Sequence, residues 1–141
     1  MDNIQILLID DDIVLGELIA DRLWRLGFAV DWFVRAARTN RTVVLTDPDG
    51  KLVTLSCQPY DVALVDGRLK GSPLDGWELT PVLVKMGLPV VALSGLEVFN
   101  REMIAAGASG GIVKDQLWCS TAKDGPSPRD ILLAAARSKT A

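Results

Sequence analysis

Four apolar runs in this 141-residue chain stop on a residue with chemistry to offer. Ile4-Gln5-Ile6-Leu7-Leu8-Ile9 runs into Asp10-Asp11-Asp12, Val62-Ala63-Leu64-Val65 into Asp66, Val90-Val91-Ala92-Leu93 into Ser94, and Gly110-Gly111-Ile112-Val113 into Lys114. Carboxylates gathered without an Arg beside them repel one another, so the arrangement makes sense mainly when a hard cation neutralises them. Mg²⁺ suits that task, because it accepts a few oxygen ligands and keeps the rest of its shell for water and phosphate oxygens. A Lys point charge and a Ser hydroxyl both suit the oxygens of a tetrahedral anion. An aspartate can attack phosphorus to give an acyl phosphate, and the protein then contributes positioning and charge neutralisation. Asp66, the central member, is the candidate nucleophile. Taken singly, each residue has a plainer explanation: a solvated turn and helix cap for Asp10-Asp11-Asp12, a turn for Asp66 and Ser94, a surface charge for Lys114. The matched strand ends are what favour a site.

Positioning these residues requires parallel strands. The run from Ile4 to Ile9 reads as a buried strand, and Leu15, Leu18, Ile19, Leu23 and Leu26 recur at helical spacing behind it, with Asp12 as N-cap and Gly27 as terminator. Phe28 to Val34 reads as a second strand. Thr42-Val43-Val44-Leu45-Thr46 and Lys51-Leu52-Val53-Thr54-Leu55, joined by Asp47-Pro48-Asp49-Gly50, predict a β-hairpin where the rhythm wants a crossover helix. Only Arg35 to Asn40 is left for helical turns. A third buried strand ends at Asp66, followed by a turn-rich loop to Gly76 and a helix within Trp77 to Met86. Pro81 suggests that the regular part of this helix starts near Thr80. Leu88 to Leu93 is a further strand, Leu96 to Ala106 a helix ended by Gly107, and Gly110 to Val113 the last strand. Trp118 to Pro126 reads as loop, and the final helix runs from Ser127 or Pro128 to Lys139. Alternating strands and helices predict a parallel sheet covered on both faces, with its ligand crevice at the carboxyl ends of the strands.

Composition narrows the function. A length of 141 residues and 49% hydrophobic content suit one domain, residues 1–141. The net charge of −3, with no run of Lys or Arg, gives no footprint for nucleic acid or an anionic membrane surface. No signal peptide or membrane span is evident, so a cytoplasmic protein is expected, with Cys57 and Cys119 reduced rather than paired. There is no histidine, which excludes Ser-His and Cys-His nucleophile systems and His-ligated metals. The four tryptophans, Trp24, Trp32, Trp77 and Trp118, read as core or partly exposed packing residues. No output domain fits after Ala141, which makes a stand-alone protein the expectation.

In chain order, Leu7-Leu8-Ile9-Asp10-Asp11-Asp12, Tyr60-Asp61-Val62-Ala63-Leu64-Val65-Asp66, Leu74-Asp75-Gly76-Trp77-Glu78-Leu79, Pro89-Val90-Val91-Ala92-Leu93-Ser94-Gly95 and Gly107-Ala108-Ser109-Gly110-Gly111-Ile112-Val113-Lys114 resemble a response-regulator receiver domain over almost the full chain. The resemblance implies a CheY-like, flavodoxin-like (βα)5 doubly wound sandwich, with a five-stranded parallel sheet of order 2-1-3-4-5. The hairpin, at about 41–56, would lie in or replace the second helix. Asp66 would be the phosphoacceptor. Asp11, Asp66 and the backbone carbonyl of Arg68 would bind Mg²⁺, with Asp10 assisting through water. Ser94 would be the switch hydroxyl and Lys114 the partner of the phosphoryl oxygens. The donor would be a phosphohistidine on a histidine kinase or phosphotransfer protein, with a downstream protein as target.

Departures from the family pattern accompany these matches. Gly111 stands where the family usually has an aromatic that rotates inward on phosphorylation, and Asp115 where it has a proline after the lysine. The loop from Asp66 to Gly76 is about two residues longer than is usual in the family, and the helix between Ser94 and Gly107 is correspondingly short. These departures keep open a second function, a docking or dimerisation module in which phosphorylation is vestigial; an exposed hairpin edge would invite a partner or a second copy. A Mg²⁺-dependent phosphatase is a third, weakened by Arg68 where such enzymes usually want a second Asp.

Overall fold

Five strands build the central sheet: β1 (Gln5–Ile9), β2 (Ala29–Phe33), β6 (Val62–Asp66), β7 (Val90–Ser94) and β8 (Gly110–Val113). The computed structural model describes residues 4–118 and 125–139. All five strands are parallel in the order β2-β1-β6-β7-β8, which is 2-1-3-4-5 when only these strands are numbered. Side chains alternate across a strand, so a sheet covered on both faces needs continuous apolar runs, as its inner strands have. Leu7, Ile9, Ala63, Val65, Val90 and Ala92 pack on one face. Ile6, Leu8, Val62, Leu64, Val91 and Leu93 pack on the other.

The second face is closed by α1 (Ile13–Arg25), through Ile19 and Leu23, and by α4 (Pro128–Arg137), through Leu132, Ala135 and Ala136. Asp12 caps α1, its Oδ1 accepting from Leu15 N at 2.9 Å, and Ser127 caps α4 in the same way from Asp130 N at 3.1 Å. The first face is closed by α2 (Gly76–Lys85), α3 (Glu97–Ala105) and a separate antiparallel sheet, β3 (Arg35–Thr39), β4 (Thr42–Thr46) and β5 (Leu52–Thr54). Ala36, Val43, Leu45 and Leu55 of this segment share one core with Leu69, Leu79 and Leu83, so the small sheet takes the place of the second helix.

Three local expectations are corrected. Arg35 to Asn40 forms no helical turns; Arg35–Thr39 pairs along its length with β4, and the hairpin is the outer part of a three-stranded sheet. The turn between them places Asn40 at φ 53, a left-handed conformation that Asn tolerates. Helix α2 starts at Gly76 rather than Thr80, and Pro81 lies inside it. The start is set by Asp75, whose N–H donates to Glu78 Oε1 at 3.1 Å, as in a capping box. Leu88 and Pro89 precede β7 rather than opening it, and the predicted loop residues 119–124, with Cys119, lie outside the described residues. Cys57 is a free thiol. Trp24 is mostly exposed, and no helix among the described residues is long and apolar enough to cross a membrane.

Parallel strands bring their carboxyl ends to one edge, and that edge tolerates little change. A Cβ on Gly76 would lie 1.9 Å from the Asp66 carbonyl oxygen, whereas one on Gly95 would meet nothing within 4 Å. Gly76→Ala should therefore lower the unfolding free energy by about 3 kcal/mol or more, and Gly95→Ala should change it by less than about 0.5 kcal/mol, in urea titrations followed by circular dichroism.

Candidate functional site

Asp10 leaves the end of β1 fully buried. Its N–H donates to the Phe33 carbonyl at 3.0 Å, its Oδ1 accepts from Asp12 N at 3.0 Å, and its own carbonyl accepts from the Trp32 indole N–H at 2.9 Å. The indole lies so close over α1 that a Cβ on Gly16 would be 2.3 Å from the ring. Of the three consecutive aspartates, Asp12 is used as a cap, while Asp10 and the half-buried Asp11 are left for the site. Asp66 ends β6, nearly buried, with Oδ1 accepting from Arg68 N at 3.3 Å.

Lys114 reaches across from the end of β8, its Nζ 2.9 Å from Asp66 Oδ2 and 3.0 Å from Asp10 Oδ2. The first contact is an aligned hydrogen bond, whereas Asp10 Oδ2 is held by charge without one. Asp10, Asp11 and Asp66 each offer an oxygen within 4.8 Å of the others. Asp11, Asp66 and Lys114 line a cleft of about 320 Å³ together with Arg68, Ser94, Trp77 and Phe99, while Asp10 is fully buried and touches it through Lys114. The residues singled out in the sequence therefore all meet at one place. Ser94 is buried, and its hydroxyl donates to the Leu96 carbonyl.

One ammonium serving two carboxylates leaves charge uncompensated. Burial, then repulsion from Asp10, pushes the Asp66 carboxyl up to about 6, and the attraction of Lys114 offsets only part of this. Burial also raises Asp11, partly offset by a backbone hydrogen bond. Burial works against the Lys114 ammonium, yet Asp66 and Asp10 more than compensate, and its value rises.

Several positioning contacts carried no sequence signal. With no proline after Lys114, the chain turns through a 3₁₀ helix, Lys114–Trp118, fastened by Arg22 Nε to the Leu117 carbonyl at 2.6 Å. At the position of the family's usual aromatic, a Cβ on Gly111 would lie 2.8 Å from Asn100 Cβ. Asn100 is buried there, its Nδ2 donating to the Ile112 carbonyl at 3.0 Å, and so ties α3 to β8.

The raised carboxyl of Asp66 has a consequence for stability. Below about pH 4 it is protonated whether the chain is folded or unfolded; as pH rises past about 6 the folded state bears an ionised, buried carboxylate that the unfolded state would ionise more easily. Stability contributed by the retained proton is lost across that window. Without divalent cations, Asp66→Asn should thus be more stable than the parent by about 1 to 3 kcal/mol at pH 7.5 and equal to it near pH 4, as read by thermal unfolding.

Comparison with known proteins bears on the fold. No protein-family model matches the chain. The transcriptional regulatory protein QseB of Haemophilus influenzae is 37% identical over 75 residues, covering 53% of this chain and 28% of that protein. The uncharacterized transcriptional regulatory protein YbdJ of Bacillus subtilis is 30% identical over 96 residues, covering 67% of this chain and 36% of that protein. The chain thus matches only about a third of the length of these relatives. Among solved structures, the receiver domain of the sensor histidine kinase PA1611 from Pseudomonas aeruginosa PAO1, with a magnesium ion coordinated in its active-site cleft, superposes with a TM-score of 0.60 at 21% identity, over 97% of this chain and 100% of that one. The chain has the fold of a response-regulator receiver domain and is similar to response regulators in sequence.

Proposed function

We propose that this receiver is a phosphoacceptor: with Mg²⁺, Asp66 takes a phosphoryl group from a phosphohistidine on a histidine kinase or phosphotransfer protein and later yields it to water. The observation that carries the reading is the ammonium of Lys114 set between Asp10 and Asp66 at the floor of the cleft. The residues fit the metal: the donor set is all hard oxygen, and the three carboxylates converge with more negative charge than one lysine neutralises. Asp11, Asp66 and the Arg68 carbonyl would hold it, with Asp10 acting through water. When bound, Mg²⁺ supplies the positive charge that lets the carboxylates and phosphoryl oxygens share one site.

A carboxylate oxygen of Asp66 attacks phosphorus as the P–N bond breaks, and the bonding electrons leave with the imidazole nitrogen. Lys114 keeps its ammonium through the step and can exchange its contact with Asp66 for one with a phosphoryl oxygen. Ser94 must release the Leu96 carbonyl to donate to the phosphoryl group, and that release loosens the link between β7 and α3. Hydrolysis breaks the acyl phosphate and returns the carboxylate and inorganic phosphate. The conformational populations would shift with this cycle. The proposal places the protein in the cytoplasm, with protein rather than nucleic-acid partners. It allows a second copy at β5, where Leu52 is 66% exposed.

A phosphorylation-independent docking module is the second reading, favoured by Asn100 filling the space at Gly111. The two differ in a simple assay. Acetyl phosphate with Mg²⁺ should add one phosphoryl group by intact mass, lost on adding EDTA or in Asp66→Asn, and Lys114→Ala should slow labelling about a hundredfold. An unlabelled parent protein that binds Mg²⁺ would favour the docking module.

A further inference from the structure

We propose that the inserted sheet is a working part of the site, and that Ser72 is a positioning residue through which the sheet holds the Arg68 peptide in place. This inference rests on the phosphoacceptor reading, because it concerns the carbonyl that reading assigns to the metal. The long loop after Asp66 does not hang free. Ser72 Oγ accepts from Ala36 N at 3.0 Å and lies 2.9 Å from the Ala36 carbonyl and 2.7 Å from the Leu74 carbonyl. Its single proton can serve one of these carbonyls at a time. Leu74 N also donates to the Ala36 carbonyl at 3.1 Å. The loop is therefore joined to β3 at one residue by both backbone groups, in the manner of a short strand pairing.

That junction is tied back to Arg68 in two steps. Ser72 N donates to the Leu69 carbonyl at 3.0 Å, closing a turn with Gly71 at φ 73, a conformation suited to glycine. Leu69 is buried in the core it shares with Ala36, Val43 and Leu45 of the inserted sheet. Its N–H donates to Asp75 Oδ1 at 3.1 Å. The Arg68 carbonyl and the Leu69 N–H belong to one planar trans peptide and point in opposite directions, so fixing the N–H fixes the carbonyl. The long loop and the inserted sheet thus work as one device: the loop supplies Ser72 and Leu74, and β3 supplies the Ala36 backbone groups that hold them.

Calorimetric Mg²⁺ titration of the full chain tests this, alongside thermal unfolding in EDTA. Ser72→Ala should weaken Mg²⁺ binding about tenfold, as loss of a ligand-orienting contact typically does, with little change in the EDTA melting temperature. Ser72→Thr, which keeps the hydroxyl, should bind within about twofold of the parent. Amide exchange at Ala36 and Leu74 should speed up in Ser72→Ala alone. Unchanged Mg²⁺ affinity in Ser72→Ala would overturn the positioning role while leaving the phosphoacceptor reading intact. No Mg²⁺ binding by the parent would overturn both. Should Ser72→Ala fail to fold, Ser72→Cys, a weaker donor of similar size, decides by the same affinity criterion.

Discussion

A single ammonium held within 3.0 Å of two carboxylates, in a pocket where a third stands close, is the constraint on which the rest of this molecule depends. In water such a cluster would disperse. Here it is held because Asp10, Asp66 and Lys114 are the last residues of parallel strands, or the first beyond them, and parallel strands must end together. The cost is visible in Asp66, whose carboxyl is pushed up to about 6 by burial and by Asp10. A site short of positive charge is one that gains most from a cation.

The scaffold meets this demand with an unusual cover. One face of the sheet is closed by two helices, as in any doubly wound fold; the other gives the place of one helix to three short antiparallel strands. The substitution works because burial is indifferent to secondary structure: Ala36, Val43 and Leu45 fill the space that a helix face would fill. It also changes what surrounds the site, since a strand offers free backbone groups where a helix has none. Ala36 uses both of its groups to hold the loop that leads away from Asp66.

Much of this was legible in the sequence. Apolar runs that stop on Asp, Ser or Lys located both the strands and the site, because a buried parallel strand has no polar face to obscure the pattern. The Asp47-Pro48-Asp49-Gly50 turn announced two strands of the inserted sheet. The third, Arg35-Ala36-Ala37-Arg38-Thr39, has little β-preference of its own and is a strand because β4 pairs with it. Pro81 drew the start of α2 toward itself, although Asp75 and Glu78 carried the better signal, an acidic cap with Glu three residues on. The contacts of Trp32 with Asp10, of Arg22 with Leu117 and of Asn100 with Ile112 join residues 22, 95 and 12 positions apart, with no motif to link them. Gly111, which in sequence stands where the family usually has an aromatic, is where Asn100 closely approaches the backbone of β8.

We propose that Asp66, rather than any neighbouring carboxylate, carries the phosphoryl group. An acyl phosphate is reduced by borohydride, which converts the modified aspartate to homoserine. Borohydride trapping after incubation with a phosphohistidine donor and Mg²⁺, followed by peptide mass spectrometry, should place homoserine at position 66 alone. Homoserine at position 10 or 11, or none anywhere in a protein that has bound Mg²⁺, would rule out Asp66 as the phosphoacceptor.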